Sequence, residues 1–536
     1  MVERPPAPDP RGAPQRSTAD PAARWPTLLA GAVAAWCALA VGEIGAGLWS
    51  GWPSPLESVA TAVIDVSPPA VTDWAIGGFG PLSTSVLQVG VVVVIGLVGA
   101  GLGRIARRRR GLAAAGVAVL AALLPALALA RGEPVAAPAG AAGLVTIAGV
   151  AALLALVARA ARVEDAAGTP PAREGPADPL GPAVARRRFL SQALVLAAGS
   201  ALLGGVGRWL SLGGGAEEAR AAVELPRPPD PLPAPPAGAS LELDGITPLV
   251  TPNREFYVVD TTLRSPRVDP ADWRLRVTGL VDRPLSLDYD ELVDLSTDEA
   301  DIMLACVSND VGGGLAGVAR WQGIRLDDLL DRAGAQAGAQ QIMGHSVEGF
   351  SAGFPVEALD GRDAIVAVGM NGDPLPVAHG FPARLVVPGL YGYVSATKWL
   401  DEIRLTTWDV DGYWVPRGWA KEGPIKIASR IDRPSRPATV DPGIVTVAGV
   451  AWAPMAGVAE VEVRIDDGAW QSARLAEPIG AASWRQWALD WDAPPGDHEI
   501  TVRAIDADGA VQTAAESGPR PDGATGHHRR SVRVGS

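Results

Sequence analysis

Five stretches of roughly twenty apolar residues, each close to the length needed to cross a bilayer, follow one another before residue 213: 27–49, 82–103, 112–130, 139–158 and 189–209. One such stretch reads equally well as a buried core helix. Five in series hold more apolar surface than a single small core can enclose, so the first third of the chain is expected to be an all-α transmembrane bundle. The segregation also reconciles a positive mean hydropathy of +0.17 with a net charge of -13, because the charges gather in the later part of the chain. That acidic balance argues against nucleic acid as a partner.

Basic residues set the expected orientation. Arg104, Arg107, Arg108, Arg109 and Arg110 fall between the second and third spans, and Arg159, Arg162, Arg173, Arg186, Arg187 and Arg188 between the fourth and fifth. Both loops are expected in the cytoplasm, with Arg131-Gly132-Glu133-Pro134 on the outer face. The N-terminus is then inside, residues 1–26 being a disordered lead. Everything after Trp209 is outside, on the extracytoplasmic face of a multi-pass membrane protein whose first partner is lipid. The stretch 55–79 contains Asp65, Pro68, Pro69 and Asp73 and reads as an outer loop or a helix lying on the membrane. Arg186-Arg187-Arg188-Phe189-Leu190 resembles a twin-arginine signal, although an ordinary positive flank has the same look. No small-residue site of the Ala-x-Ala type after it is a convincing cleavage site, so the helix is expected to stay as an anchor. All five histidines lie beyond residue 340, which leaves no pair to hold a haem between the helices, and no haem is expected.

The remainder divides by texture. Residues 213–239 carry seven prolines between Pro226 and Pro236 and read as an extended, semi-rigid spacer. Residues 240–436 mix short strands with helical starts, an α+β domain: Arg274-Leu275-Arg276-Val277 alternates like a strand, Tyr289-Asp290-Glu291-Leu292 opens a helix, and Arg384-Leu385-Val386-Val387 is a buried strand closed by Pro388-Gly389. Residues 437–536 turn to short alternating runs split by Asp466-Asp467-Gly468 and Pro494-Pro495-Gly496-Asp497, the pattern of an immunoglobulin-like β-sandwich.

Within the α+β region stands Cys306, in Ala305-Cys306-Val307-Ser308-Asn309-Asp310-Val311-Gly312-Gly313. The one other cysteine, Cys37, is in an apolar stretch, so no disulfide framework exists. A lone cysteine after an apolar run is commonly a small core residue. Four ordered blocks say otherwise: Asn253 with Phe256 and Tyr257; Cys306; His379-Gly380-Phe381-Pro382-Ala383-Arg384; and Tyr391-Gly392-Tyr393-Val394-Ser395-Ala396-Thr397-Lys398-Trp399. On these blocks, residues 253–433 resemble the molybdopterin-binding domain of the sulfite oxidase family, which also includes the catalytic subunit of the periplasmic methionine sulfoxide reductase. The tail resembles that family's dimerisation domain, and so implies a homodimer.

The resemblance implies a molybdenum–molybdopterin cofactor, with Cys306 as the catalytic thiolate on the metal. Asn253, Phe256, Tyr257, Ser346, His379, Arg384, Ser395, Thr397 and Lys398 are then its contacts. The chemistry is coherent. Soft thiolates suit such a metal, Arg384 offers a planar fork to the pterin's phosphate, and Lys398 adds a point charge. Taken singly, His379 reads as a buried core histidine, and Arg384 and Lys398 as salt-bridge partners. Gly312-Gly313-Gly314 lacks the Gly-Lys-Ser/Thr of a phosphate loop. His345, Asp310 and Glu348 are further candidates for the site, while His527-His528 reads as a solvated tail.

Sulfite-oxidising members place arginines just after the cysteine, whereas Val307-Ser308-Asn309-Asp310-Val311 has no base and one acid. Trp408, Tyr413, Trp414, Arg417 and Trp419 are expected at the mouth of the site. The function expected is therefore two-electron oxygen-atom transfer on a small oxo-compound such as a sulfoxide, with an unidentified electron-transfer partner. The alternatives are a sulfite oxidase-type dehydrogenase and a cofactor-free, membrane-anchored binding module.

Overall fold

The computed structural model describes residues 25–535 apart from 50–51, 69–70, 72–73, 76–77, 80–81, 131–134, 169–180, 213–214, 263–264, 267 and 436–438. Most of the expected N-terminal lead, the loop Arg131-Gly132-Glu133-Pro134, Arg173 and the joint at 436–437 fall outside the described residues. The chain divides into two units, 1–213 and 214–536.

Among the described residues of the first unit, five helical stretches are long and apolar enough to cross a membrane: Trp25–Leu48, Ser83–Ala106, Arg110–Leu129, Ala136–Glu164 and Arg186–Trp209. Without a hydrophobic drive between helices in lipid, close packing of small residues has to hold them. The first and second meet through glycines, and a Cβ on Gly31 would lie 2.1 Å from the Gly99 carbonyl oxygen and 2.7 Å from the Gly103 nitrogen. The third stretch is broken at Ala122, three residues before Pro125, which has no N–H to bond one turn back. Glu164 ties one end of the bundle together. It accepts from the Thr27 N–H (3.1 Å) and hydroxyl (2.8 Å) and pairs with Arg107 at 2.9 Å. The Arg186 guanidinium lies over Trp25 at the same end. The start of the first helix, the end of the second and the end of the fourth thus share one face of the bundle with the start of the fifth. Pro55–Val66 is a helix capped by Ser54, whose hydroxyl reaches Glu43 at 2.7 Å. At ~1.5 Å per residue its twelve residues span about 18 Å, short of a ~30 Å hydrocarbon core.

The expected spacer does not stand free: Gly215–Ala221 is a short helix, and from Val223 the chain lies against the domain that follows. Prolines donate nothing, so this strap offers carbonyls, and side chains of a neighbouring strand meet them. Gln322 Nε2 donates to Pro226 O (2.7 Å), and Arg320 to Leu232 O (3.0 Å) and Pro233 O (2.9 Å). Glu299 accepts from the Leu232 N–H, and Val223 and Leu225 pack on the core.

Two sheets form the α+β part. One runs in the order Leu285–Asp288, Arg274–Gly279, Leu400–Thr406, Gln341–Ser346, Ser351–Pro355, with the second and third strands parallel. The other runs Asp298–Ala305, Ala316–Arg325, Ile365–Met370, Asp373–Pro374, and Arg384–Val386 also pairs with the third of these. Asp288 caps Tyr289–Asp294 in a reciprocal box with Glu291. Asp298–Ala305 alternates between two cores. Ile302 and Leu304 face the interior of the α+β domain, whereas Met303 and Ala305 face a cluster shared with Val450, Trp452 and Trp484.

Those last residues belong to the C-terminal region. There Ala428–Arg433, Gly443–Trp452, Arg485–Ala493 and Arg474–Leu475 make one sheet, and Thr439–Val440, His528–Val534, Gly496–Asp506, Val458–Ile465 and Gln471–Ser472 make the other. Between them lie Val447, Val461, Val463, Trp487, Ile500 and Val502, all fully buried: a β-sandwich. The expectation of a solvated His527-His528 fails here, because His528 opens a strand that alternates strictly between buried and exposed and is itself 5% exposed. His527 bonds the Gln512 carbonyl and sits edge-on to Trp470.

Candidate active site

Strand ends converge on one cleft. The strand Asp298–Ala305 delivers Cys306 into a tight loop in which the Cys306 N–H donates to Leu315 O (2.9 Å), Asn309 N–H to Cys306 O (3.0 Å) and Leu315 N–H to Asn309 Oδ1 (2.7 Å). The thiol is partly exposed to the cleft. Burial pushes its proton affinity up, while the N–H and hydroxyl of Ser308 pull it back by favouring the thiolate.

Arg384 lines the same cleft, at the head of a three-residue buried strand and 5% exposed. Its guanidinium lies 4.9 Å above Trp321 and donates to His379 O (3.0 Å), yet its buried Nε has no hydrogen-bond partner. Burial lowers its pKa to about 10. Lys398 pairs with Asp260 and donates to Ala378 O (3.1 Å). Burial pulls the lysine down and pushes the carboxyl up, each opposed by the other's charge. Phe256 stacks on Tyr257 (5.4 Å) and meets Trp321 and His379 edge-on. The Tyr257 phenol is held neutral by burial, reinforced by Cys306 and opposed by Arg384.

His379 is buried, and its Nε2 donates to Asn253 O at 2.9 Å in the neutral form. Burial brings its pKa down to about 4; the Asn253 bond opposes this and the charges of Arg384 and Lys398 add to it. The unfolded imidazole protonates near 6.5, so between 6.5 and 4 the unfolded chain holds more protons and stability rises with pH. For protein without cofactor, this contribution is expected in full above pH 6.5. It should fall by about 3 kcal/mol as the solution is acidified through pH 4. Denaturant titrations at pH 7 and pH 4 check this, and His379→Gln should flatten the difference.

Of the expected contacts, Phe256, Tyr257, Cys306, His379, Arg384 and Lys398 line the cleft. Asn253, Ser346, Ser395 and Thr397 do not have side chains on its wall. Asn253 is spent on Met370 O and Asn371, and the Ser395 hydroxyl on Leu390 O and Tyr391 O. Thr397 donates to Gly344 O, and the Ser346 hydroxyl accepts from the Glu348 N–H. These four shape the wall from behind. Glu348 lines the cleft, with Thr261 donating to its carboxylate, while Asp310 and His345 do not. The rim is a run of aromatics: Phe350, Tyr413, Trp414, Trp419 and Tyr393 follow one another at centroid distances of 5.1 to 6.3 Å. Trp408 is not part of it and packs under Lys421 instead. Sequence reasoning missed Asp260, Ser308 and, above the Trp419 ring at 5.1 Å, Arg520. Ser308 was legible as a hydroxyl two residues from the thiol. Arg520 comes from a loop of the sandwich, and no local signal links it to the cleft.

Comparison with known proteins agrees with this geometry. Residues 262–414 match the family model of the oxidoreductase molybdopterin binding domain. The mitochondrial sulfite oxidase of Homo sapiens is 31% identical over 48% of this chain and 56% of its own length. An uncharacterized oxidoreductase of Bacillus subtilis, YuiH, is 34% identical over 29% of this chain and 76% of its own length. The chain belongs to the sulfite oxidase family. Nitrate reductase [NADH] 1 of Oryza sativa is 36% identical over 28% of this chain and 19% of its own length. The chain spans little more than half the length of the mitochondrial sulfite oxidases it matches.

The matched region is a molybdopterin-binding domain, and the cofactor it implies is molybdenum–molybdopterin. The cleft fits that group. A buried guanidinium with an unspent Nε suits a phosphate. A second cation, Lys398, and one thiol, Cys306, line the same cleft.

Proposed function

We propose that this protein is a membrane-anchored, extracytoplasmic enzyme of two-electron oxygen-atom transfer acting on a small neutral oxo-compound such as a sulfoxide. The bound cofactor would supply the oxygen-atom and electron-pair chemistry. Cys306 would hold the metal through its thiolate, which Ser308 favours. Arg384 and Lys398 would bind the pterin phosphate, with Tyr257, Phe256 and His379 as the wall beside it.

The observation that carries the substrate class is the rim. Its faces are aromatic and apolar, the two cations on the cleft wall lie among Asp260, His379 and Trp321, and Glu348 and Asp260 place acids in the cleft. A second reading, sulfite oxidation, is favoured by Arg520 over Trp419, a cation that could steer an anion to the same mouth.

Steady-state assays of the full chain in detergent, with methionine sulfoxide and with sulfite, separate the two. Sulfoxide turnover is expected, with Arg520→Ala changing its KM by less than about twofold, since a neutral substrate gains little from a remote charge. Sulfite turnover whose KM rises at least about tenfold in Arg520→Ala would instead establish the second reading. About one molybdenum and one pterin per chain should accompany activity.

The arginine-bearing ends gathered near Glu164 support a cytoplasmic placement of that face and an outward placement of the chain after Trp209. The sandwich is proposed to be immunoglobulin-like and to join two copies of the chain, with a separate redox protein or membrane carrier as electron partner.

A further inference from the structure

The sandwich does more than flank the catalytic domain. Gly312, six residues after Cys306, has φ +75° and lies directly against the His528 ring: a Cβ there would stand 2.3 Å from both Cδ2 and Nε2. The ring cannot turn away easily, because its Nδ1 accepts the Ile431 N–H at 2.9 Å and the side chain is buried. Beside it Arg430 donates to Gly313 O (2.8 Å), its own guanidinium fixed by Asp432 at 2.8 Å and by the Thr247 hydroxyl. Beneath the loop, Met303 and Ala305 of the cysteine strand share a core with Trp452 and Trp484 of the sandwich.

We infer that His528, assisted by Arg430, is a positioning residue for Cys306: it clamps the far side of the 306–315 loop and so sets where the thiol points. The inference rests on Cys306 being the metal's thiolate ligand. A glycine at Gly312 is required twice over, by its left-handed backbone and by the ring it touches. The loop's internal bonds close it on itself, but they leave its tilt over the strand undetermined. The two sandwich contacts supply that constraint. Because a metal–thiolate bond depends on the direction of the sulfur as well as its distance, a small change in tilt would weaken it without unfolding the domain.

The test uses the full chain in a Cys37→Ala background, so that Cys306 is the one thiol. In protein made without cofactor, His528→Ala is expected to raise the rate of Cys306 alkylation by iodoacetamide about tenfold, as a loop released from its clamp exposes the thiol more often. His528→Asn, which keeps an acceptor for the Ile431 N–H, should recover most of the slow rate. In loaded protein, His528→Ala should keep its molybdenum yet shift the sulfur-to-metal absorption and the Mo(V) resonance. A folded His528→Ala with wild-type alkylation and spectrum would overturn the inference. Should that variant not fold, Arg430→Ala decides by the same two readouts. If a loaded Cys306→Ser protein shows the wild-type spectrum, the ligand reading fails, and the alkylation arm still decides whether the clamp exists.

Discussion

Cys306→Ser is expected to leave a folded, cofactor-containing protein that turns over roughly a thousandfold more slowly, about 4 kcal/mol of lost barrier lowering. The two parts of that expectation have separate causes. The substitution is nearly isosteric at a partly exposed position, so little packing is lost, and the loop's backbone bonds through Leu315 and Asn309 do not involve the side chain. Occupancy depends on Arg384, Lys398 and the aromatic wall, which the change leaves alone. Rate depends on the sulfur itself. A serine hydroxyl is a harder and far weaker acid, and it does not replace a soft thiolate on the metal. Metal content by mass spectrometry beside steady-state rates provides the check. Wild-type turnover at full occupancy would remove Cys306 from its assigned role.

Arg384→Met should act with opposite signs on loading and on stability. The guanidinium is buried, one of its nitrogens is without a partner, and its pKa is lowered by the cost of burying the charge. A thioether chain of similar length keeps contact with Trp321 and removes that cost. Without cofactor, the variant is expected to be about 1–3 kcal/mol more stable than wild type, in the manner of buried charges replaced by apolar groups. With cofactor supplied, occupancy should fall below roughly a tenth of wild type, because the phosphate loses its bidentate donor. Thermal melts of both forms with molybdenum analysis measure the two effects. A loaded Arg384→Met protein, or one less stable when empty, would show that Arg384 is a structural residue.

Much of the site was legible because its signals are local. The apolar run into Cys306, the His379–Arg384 block and the Tyr391–Trp399 block each lie within a dozen residues, and a strand or turn brings each to the cleft as a unit. The same holds for the α+β strands, where alternation over Arg274–Gly279 matches its alternately buried face. What stayed hidden was contributed from a distance. Arg520 and His528 reach the site because the sandwich shares a core with the cysteine strand, and neither has a neighbour in sequence that betrays it. The docking of the proline strap is hidden for a related reason. Composition specifies an extended backbone, but whether that backbone floats or docks depends on donors such as Arg320 that arrive later in the chain. Ser395 and Thr397 show another limit of local signals: each hydroxyl donates to a nearby carbonyl, a partner that the matching block does not reveal.

The strap also fixes an order of events. Its carbonyl at Leu232 is met by a side chain 88 residues further on, and that of Pro226 by one 96 residues further on. The strap is therefore made before its berth exists and must wait, extended, until two strands of the later sheet have paired. Proline suits that interval: a segment with few N–H groups cannot add itself as a strand to a neighbouring chain. The same residues that let the strap be held only by its carbonyls keep it from aggregating while the rest of the domain forms around it.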